Sequence, residues 1–150
     1  MLYSTPCEQA IRALVYLAQQ DRERITPVKE IAREAGIPVP ICAKVLHTLA
    51  RHHIVRSTKG PGGGFILGRG PEAIVLRHVV DAIDGLGVLE RCPAGLANCS
   101  DAEPCPLHDL WKDLRSAILG FHENTSILDM ARVHAHATAR ASRARLKSGA

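Results

Sequence analysis

The sequence predicts a mainly α fold: a winged helix-turn-helix with a two-stranded wing and a long C-terminal dimerisation helix. Three observations predict it. Apolar residues recur at three-and-four spacing in five separate stretches. Two of those stretches are short and meet across a tight turn at Gly36. Directly behind them, the run Lys59-Gly60-Pro61-Gly62-Gly63-Gly64 separates two strand-like segments.

Each element has its own warrant. Ala10, Ile11, Leu14, Leu17 and Ala18 give a first amphipathic helix from about Glu8 to Gln20, closed by the charged turn Asp21 to Arg24. Thr26 reads as an N-cap with Pro27 at the first helical position, and Val28, Ile31, Ala32 and Ala35 mark the inner face of a second helix that Gly36 ends. After Ile37-Pro38, the residues Ile41, Val45, Leu46 and Leu49 repeat over a third helix running to about Arg51. Ile54–Ser57 and Phe65–Leu67 are the wing strands, and Leu76–Ile83 forms a fourth helix. Leu107, Leu110, Trp111, Leu114, Ile118 and Phe121 keep helical spacing for four turns. One small winged helix cannot cover so long a stripe, so pairing with a second copy is expected.

The organisation expected is a winged-helix domain over residues 1–84, a cysteine-rich loop over 85–106, a dimerisation helix region over 107–130 and a basic tail over 131–150. That tail is acid-free and poor in branched apolar residues, which predicts disorder. At 150 residues with 46% hydrophobic content the chain is the size of one domain with an appendage. Its apolar runs fall short of the roughly 20 residues that span a bilayer, and its first residues do not read as an export signal. A soluble, cytoplasmic protein is expected, in which five cysteines, an odd number, speak for metal or redox chemistry over a disulfide framework.

Charge is distributed unevenly. Between Glu34 and Glu72 there is no acidic residue, while Lys44, Arg51, Arg56, Lys59 and Arg69 fall in that interval. A polyanion would meet one continuous basic surface there. Aromatic residues are only 3% of the chain, too few for the stacking platforms of single-strand binders, so duplex DNA is the expected partner. In a winged helix the third helix enters the major groove, which makes Val39, Pro40, Lys44, His47 and Arg51 candidates for contact. Thr26 and Val28 could offer main-chain amides to phosphate, and Arg56, Ser57, Lys59, Gly62 and Gly63 belong to the wing.

The second constellation is CPAGLANCSDAEPCPLH, in which Cys92, Cys99, Cys105 and His108 fall within seventeen residues. A loop can fold thiolates and an imidazole onto a soft metal centre. Six residues separate the first two cysteines and five the next two, so the tight turn of a CxxC knuckle is absent. Residues alone leave three readings open: an iron-sulfur centre, a zinc-stabilised interaction module on the same ligands, and a metal-free thiol switch. No pattern of nucleophile, base and orienting group reads as an enzyme. Cys42 reads as a small buried hydrophobe, and Cys7 sits at a helix N-terminus, a position that lowers thiol pKa values.

The helix-turn-helix, the wing RSTKGPGGGFILG, the DAIDG that ends the fourth helix and CPAGLANCSDAEPCPLHDLW together resemble the Rrf-type family of bacterial winged-helix regulators, which includes IscR, NsrR and RirA, over roughly residues 1 to 130. The resemblance implies a homodimeric regulator, acting as a repressor on a pseudo-palindromic operator. It implies sensing of iron-sulfur status, nitric oxide or redox stress through a cluster on Cys92, Cys99 and Cys105. It offers two fourth ligands: His108, which implies a 2Fe-2S cluster and is favoured because one chain then supplies every ligand, or Glu8 of the partner subunit, which implies 4Fe-4S. Change at the cluster would reorder residues 90 to 108 and shift the long helix.

Lys59→Ala is expected to weaken duplex binding across all sequences and to flatten the dependence of log K on log salt, because one phosphate-proximal charge is lost. Binding titrations at three or more salt concentrations measure that slope, and an unchanged slope removes Lys59 from the interface.

Overall fold

The computed structural model describes residues 2–97 and 99–134. Its first helix, α1 (Thr5–Ala18), begins three residues before the expected Glu8. The Ser4 hydroxyl accepts from the Cys7 amide at 3.2 Å, and Pro6 occupies the first turn, where a missing N–H costs nothing. Cys7, Ala10, Ala13 and Leu14 are wholly buried on this helix. It is the central element of the fold, touched by α2 (Val28–Ala35), α3 (Val39–Arg51), α4 (Leu76–Ile83) and the second wing strand.

The helix-turn-helix follows from α2 and α3. Gly36, with φ of 63°, ends α2 in the left-handed conformation, and the Ile37 amide reaches back to the Ala32 carbonyl at 2.8 Å. The inner face of α3 is Cys42, Val45, Leu46 and Leu49. Ile41, expected on that face, is instead 41% exposed, because Cys42 takes the first inward position. α3 closes on His53, whose φ of 56° is the one positive value among the described non-glycine residues. The wing is an antiparallel pair, β1 (Val55–Thr58) and β2 (Gly64–Leu67), in register from Val55 opposite Leu67 to Thr58 opposite Gly64.

Thr26 does not cap α2. Pro27 holds that position without a side-chain bond, while Thr26 pairs with Phe65 in a single antiparallel bridge beside the wing: its amide donates to the Phe65 carbonyl at 2.9 Å and its carbonyl accepts from the Phe65 amide at 2.8 Å. This backbone bridge fastens the wing to the entrance of the helix-turn-helix. Gly64 makes it possible, since a Cβ there would stand 2.2 Å from the Thr26 carbonyl oxygen.

Beyond α4 come a single helical turn, α5 (Gly87–Glu90), the cysteine-rich loop and α6 (His108–Asn124). α6 packs on α4, with an Arg77–Glu123 ion pair between them. The chain then turns back into the N-terminal core. The Leu76 amide donates to the Thr125 carbonyl and the Ile127 amide to the Ile74 carbonyl. A last helical segment over residues 127–134 buries Ile127 and Ala131. Ser126 and Asp129 form its capping box: the Asp129 amide donates to Ser126 Oγ at 3.1 Å and the Ser126 amide to the Asp129 carboxylate at 3.0 Å. The expected basic tail, 131–150, thus has its first residues in helical structure and one of them in the core, and residues 135–150 lie outside those described.

The long apolar stripe divides into two. Leu107 and, on α6, Leu110, Leu114 and Phe121 are exposed, at 45%, 74%, 54% and 48%. Ala117 is exposed with them, completing an alternating three-and-four spacing. Trp111 and Ile118 are half-buried on the adjoining flank of the helix. Among the described residues no helix is long and apolar enough to cross a membrane.

Gly64→Ala is expected to cost about 1–3 kcal/mol, because the added methyl collides with backbone that the Thr26–Phe65 bridge holds in place. Gly87→Ala, with nothing within 4 Å, is the control and should stay within about 0.5 kcal/mol of the parent. Urea unfolding midpoints of the two variants measure the difference.

Candidate metal centre and nucleic-acid face

One broad face carries α3 and the wing. Val39, Pro40, Lys44, His47 and Arg51 are all exposed along α3, as are Arg56, Ser57, Lys59 and Gly62 in the wing, with Gly63 half-buried. The His47 ring meets Phe65 edge-on at 5.4 Å, so the same α3 residue that faces outward also touches the wing sheet. The turn is built on Gly60 and Gly62, with φ of 91° and 74°, and on Gly63, where a Cβ would fall 2.3 Å from the Thr58 carbonyl oxygen. Among the described residues Lys44, Arg51, Arg56, Lys59 and Arg69 form no ion pair, whereas Arg22, Arg24, Arg33 and Arg77 each hold a carboxylate. The acid-free interval therefore becomes a surface of uncompensated cations. Thr26 leaves this set. Its side chain is buried and its amide is spent on Phe65, so it has nothing to offer a phosphate. Val28, half-buried at the first position of α2, remains at the rim.

The loop between α5 and α6 gathers its sulfur and nitrogen in pairs. Cys92 and Cys105 are buried with their Sγ atoms 3.6 Å apart. Half-buried Cys99 places its Sγ 3.7 Å from His108 Nδ1. Among the described residues no three or more His, Cys, Asp or Glu side chains converge on one point in the way a single ion requires. Cys92 is held in a turn: Gly95, with φ of 80°, donates its amide to the Cys92 carbonyl at 3.0 Å. Burial pushes the Cys92 thiol up, but hydrogen bonds from the amides of Leu96, Ala94 and Gly95 and from Cys105 outweigh it, and its pKa lies below the ordinary thiol value.

His108 is 6% exposed and opens α6, with its amide on the Cys105 carbonyl at 2.9 Å. The N-cap of α6 is Leu107, so the imidazole is free of capping duty. Its Nε2 stands 2.9 Å from Asp101 Oδ1, the same oxygen that takes Lys112 Nζ at 2.8 Å. Lys112 first, then His108, draws the Asp101 carboxyl down to about 2. Because that value is depressed, the clamp is complete above the ordinary carboxylate range and is lost only as the pH falls toward about 2. Neither Asp101 nor Lys112 stands out in the sequence, since a lone loop carboxylate has no periodic or spacing signal. The i, i+4 spacing of His108 and Lys112 at the start of a helix is the one clue available.

The other candidates lie elsewhere. Glu8 is half-buried in the first turn of α1, and its side chain makes no hydrogen bond or ion pair among the described residues. Cys7 does not gain acidity from its helix terminus: burial and the nearby Asp84 push its thiol up to about 12. Cys42 is buried on α3 as expected, and burial alone pushes it up to about 11.

Known proteins share this plan. A family model described as Rrf2, iron-dependent transcriptional regulator, matches residues 3–133. An HTH-type transcriptional regulator of Aquifex aeolicus is 36% identical over 132 residues, covering 87% of this chain and 91% of its own. The HTH-type transcriptional regulator IscR of Photorhabdus laumondii is 31% identical over 121 residues, covering 81% of this chain and 73% of its own. Among solved structures, CymR, the global cysteine regulator of B. subtilis, superposes with a TM-score of 0.71 at 23% identity, covering 87% of this chain and 95% of that one. The sequence relatives are regulators of transcription rather than enzymes. With its winged helix-turn-helix, its glycine wing and its cysteine loop ahead of a long helix, the chain belongs to the Rrf2 family of transcriptional regulators.

Proposed function

We propose that the protein is a homodimeric, DNA-binding regulator of transcription, working as a repressor, whose signal enters through an iron-sulfur cluster held by Cys92, Cys99, Cys105 and His108. The observation that carries this reading is the pairing in the loop. Two thiolates on one tetrahedral metal, each about 2.3 Å from it, stand roughly 3.7 Å apart, and a thiolate and an imidazole nitrogen stand slightly closer. Cys92 with Cys105, at 3.6 Å, and Cys99 with His108, at 3.7 Å, each span about one such edge. Two separate edges suit a two-iron centre better than a single zinc, which wants all four ligands around one point. The loop is also prepared for anionic sulfur, with the Cys92 thiol lowered by backbone amides. A cluster bound there supplies reversible one-electron chemistry and sensitivity to oxidants.

The residues of the loop tie that site to the rest of the chain. His108 is the first residue of α6, and Cys105 accepts its amide, so any rearrangement of the ligands moves the start of the helix. The exposed seam of Leu107, Leu110, Leu114, Ala117 and Phe121 has the alternating spacing of a coiled-coil interface and fits a second copy of the same seam. A two-fold pair would present two α3 helices and two wings to a pseudo-palindromic duplex, with Lys44, Arg51, Arg56 and Lys59 meeting the backbone or base edges. The family model, described as an iron-dependent transcriptional regulator, supports an iron-based signal; the signal read here is iron-sulfur status, nitric oxide or redox stress, and such a regulator would work in the cytoplasm. One second reading has an observation behind it: Cys92 and Cys105 at 3.6 Å would also serve a metal-free thiol switch.

Protein purified without oxygen is expected to absorb in the visible range with about two irons per chain, and His108→Ala should shift or abolish those bands. About four irons with sensitivity to Glu8→Ala transfers the fourth ligand to Glu8 of the partner subunit. A colourless, iron-free protein overturns the cluster, and zinc content or reversible disulfide formation then decides what replaces it.

Leu114→Asp places a charge in the centre of the exposed seam. Sedimentation equilibrium should find it monomeric at concentrations where the parent is dimeric, with affinity for a full operator falling at least tenfold. A variant that stays dimeric moves the interface off α6.

A further inference from the structure

The geometry points to Asp101 as a positioning residue: its carboxylate holds His108 in the tautomer protonated at Nε2, turns Nδ1 toward Cys99, and through Lys112 fastens the loop to the first turns of α6. Its value to the protein rests on the reading of His108 as a cluster ligand, but the geometry itself belongs to the metal-free chain.

An ionised carboxylate can only accept, so the 2.9 Å contact with Asp101 Oδ1 requires that Nε2 carry the proton. In the neutral ring Nδ1 then holds the lone pair, and Nδ1 is the atom 3.7 Å from Cys99 Sγ. The imidazole is nearly enclosed, whereas the Asp101 side chain is 77% exposed. Burial therefore does not hold Asp101 in place; its two bonds do. The second bond comes from Lys112, one helical turn after His108 and on the same side of α6, and both donors meet the same oxygen. One loop carboxylate thus grips two successive turns of the helix. Fixing a ring orientation through the nitrogen that faces away from the metal is how outer carboxylates tune histidine ligands, and losing such a partner typically weakens metal binding 10- to 100-fold. The Asp101–Lys112 half is a surface ion pair and adds little to folding stability, whereas losing Asp101 also leaves the enclosed Nε2–H unpaired, so the positioning effect is read at the His108 ring rather than in the unfolding midpoint.

The test compares the parent with Asp101→Ala, Asp101→Glu and Lys112→Gln in metal-free, reduced, 15N-labelled protein, using His108→Gln to assign the ring signals. The parent is expected to give a slowly exchanging imidazole Nε2–H resonance at His108 with Nδ1 unprotonated. That resonance should be lost in Asp101→Ala, return in Asp101→Glu, and weaken in Lys112→Gln, with the unfolding midpoint of Lys112→Gln nearly unchanged. Asp101→Ser serves the same comparison if the alanine variant does not fold. In parallel, iron retention after anaerobic reconstitution and chelator challenge should fall 10- to 100-fold in Asp101→Ala. An unchanged His108 resonance in Asp101→Ala overturns the positioning role, as does a parent ring protonated at Nδ1. If the resonance depends on Asp101 while the parent takes up no iron, the positioning role stands and the cluster reading fails.

Discussion

Everything in this fold leans on α1. Cys7, Ala10, Ala13 and Leu14 are fully enclosed by α2, α3, α4 and the wing, so one fourteen-residue helix is shared by the reading head and by the module that carries the cysteine loop. Small residues at Ala10 and Ala13 let neighbouring backbones approach closely, and Leu14 fills the centre. The packing has a functional corollary. A helix enclosed by several elements cannot shift relative to one without disturbing the others, so motion at α4 reaches α3 through a packed core rather than through a flexible linker.

The loop obeys different physics. Its order comes from polar and sulfur contacts: an amide-lined turn around Cys92, two donor pairs, and a carboxylate that joins His108 to Lys112. Leu89, Cys92 and Cys105 are its buried anchors, while Val88 and Leu96 stay exposed. A segment with so little core of its own sits at the low end of local stability, which is where ligand-responsive elements are found. The reading head has the opposite character, with Leu46, Leu49, Ile54 and Val55 enclosed behind it.

The sequence made the helices legible wherever periodicity ran long: α3 and α4 fall where the spacing puts them, and the wing strands are within one residue. It misled where a local rule met a distant partner. Thr26 has every attribute of an N-cap, yet Phe65, far along the chain, claims its backbone for a strand pair. Ile41 and Cys42 are both apolar neighbours near the start of α3, and periodicity could not say which one the core would take. The stripe on α6 was visible, but not its division into an exposed seam and a half-buried side, which depends on where α4 lies. In the loop the cysteines and His108 stood out by residue type alone. Their pairing and the part of Asp101 did not, because irregular backbone has no period from which neighbours can be deduced.

The return of the chain after α6 has a mechanical meaning. At its far end the helix is held by the Arg77–Glu123 pair, by His122 buried against Tyr3, and by Ile127 sunk in the core of its own protomer. At its near end it is tied to the loop through His108 and Lys112. α6, about 25 Å long, is thus anchored toward the core at one end and joined to the cysteine loop at the other, at His108. A displacement of about 2 Å at His108 would tilt the helix by only about 5°, and in the dimer proposed above so small an angle would keep two seams in contact while changing how far apart they carry their reading heads.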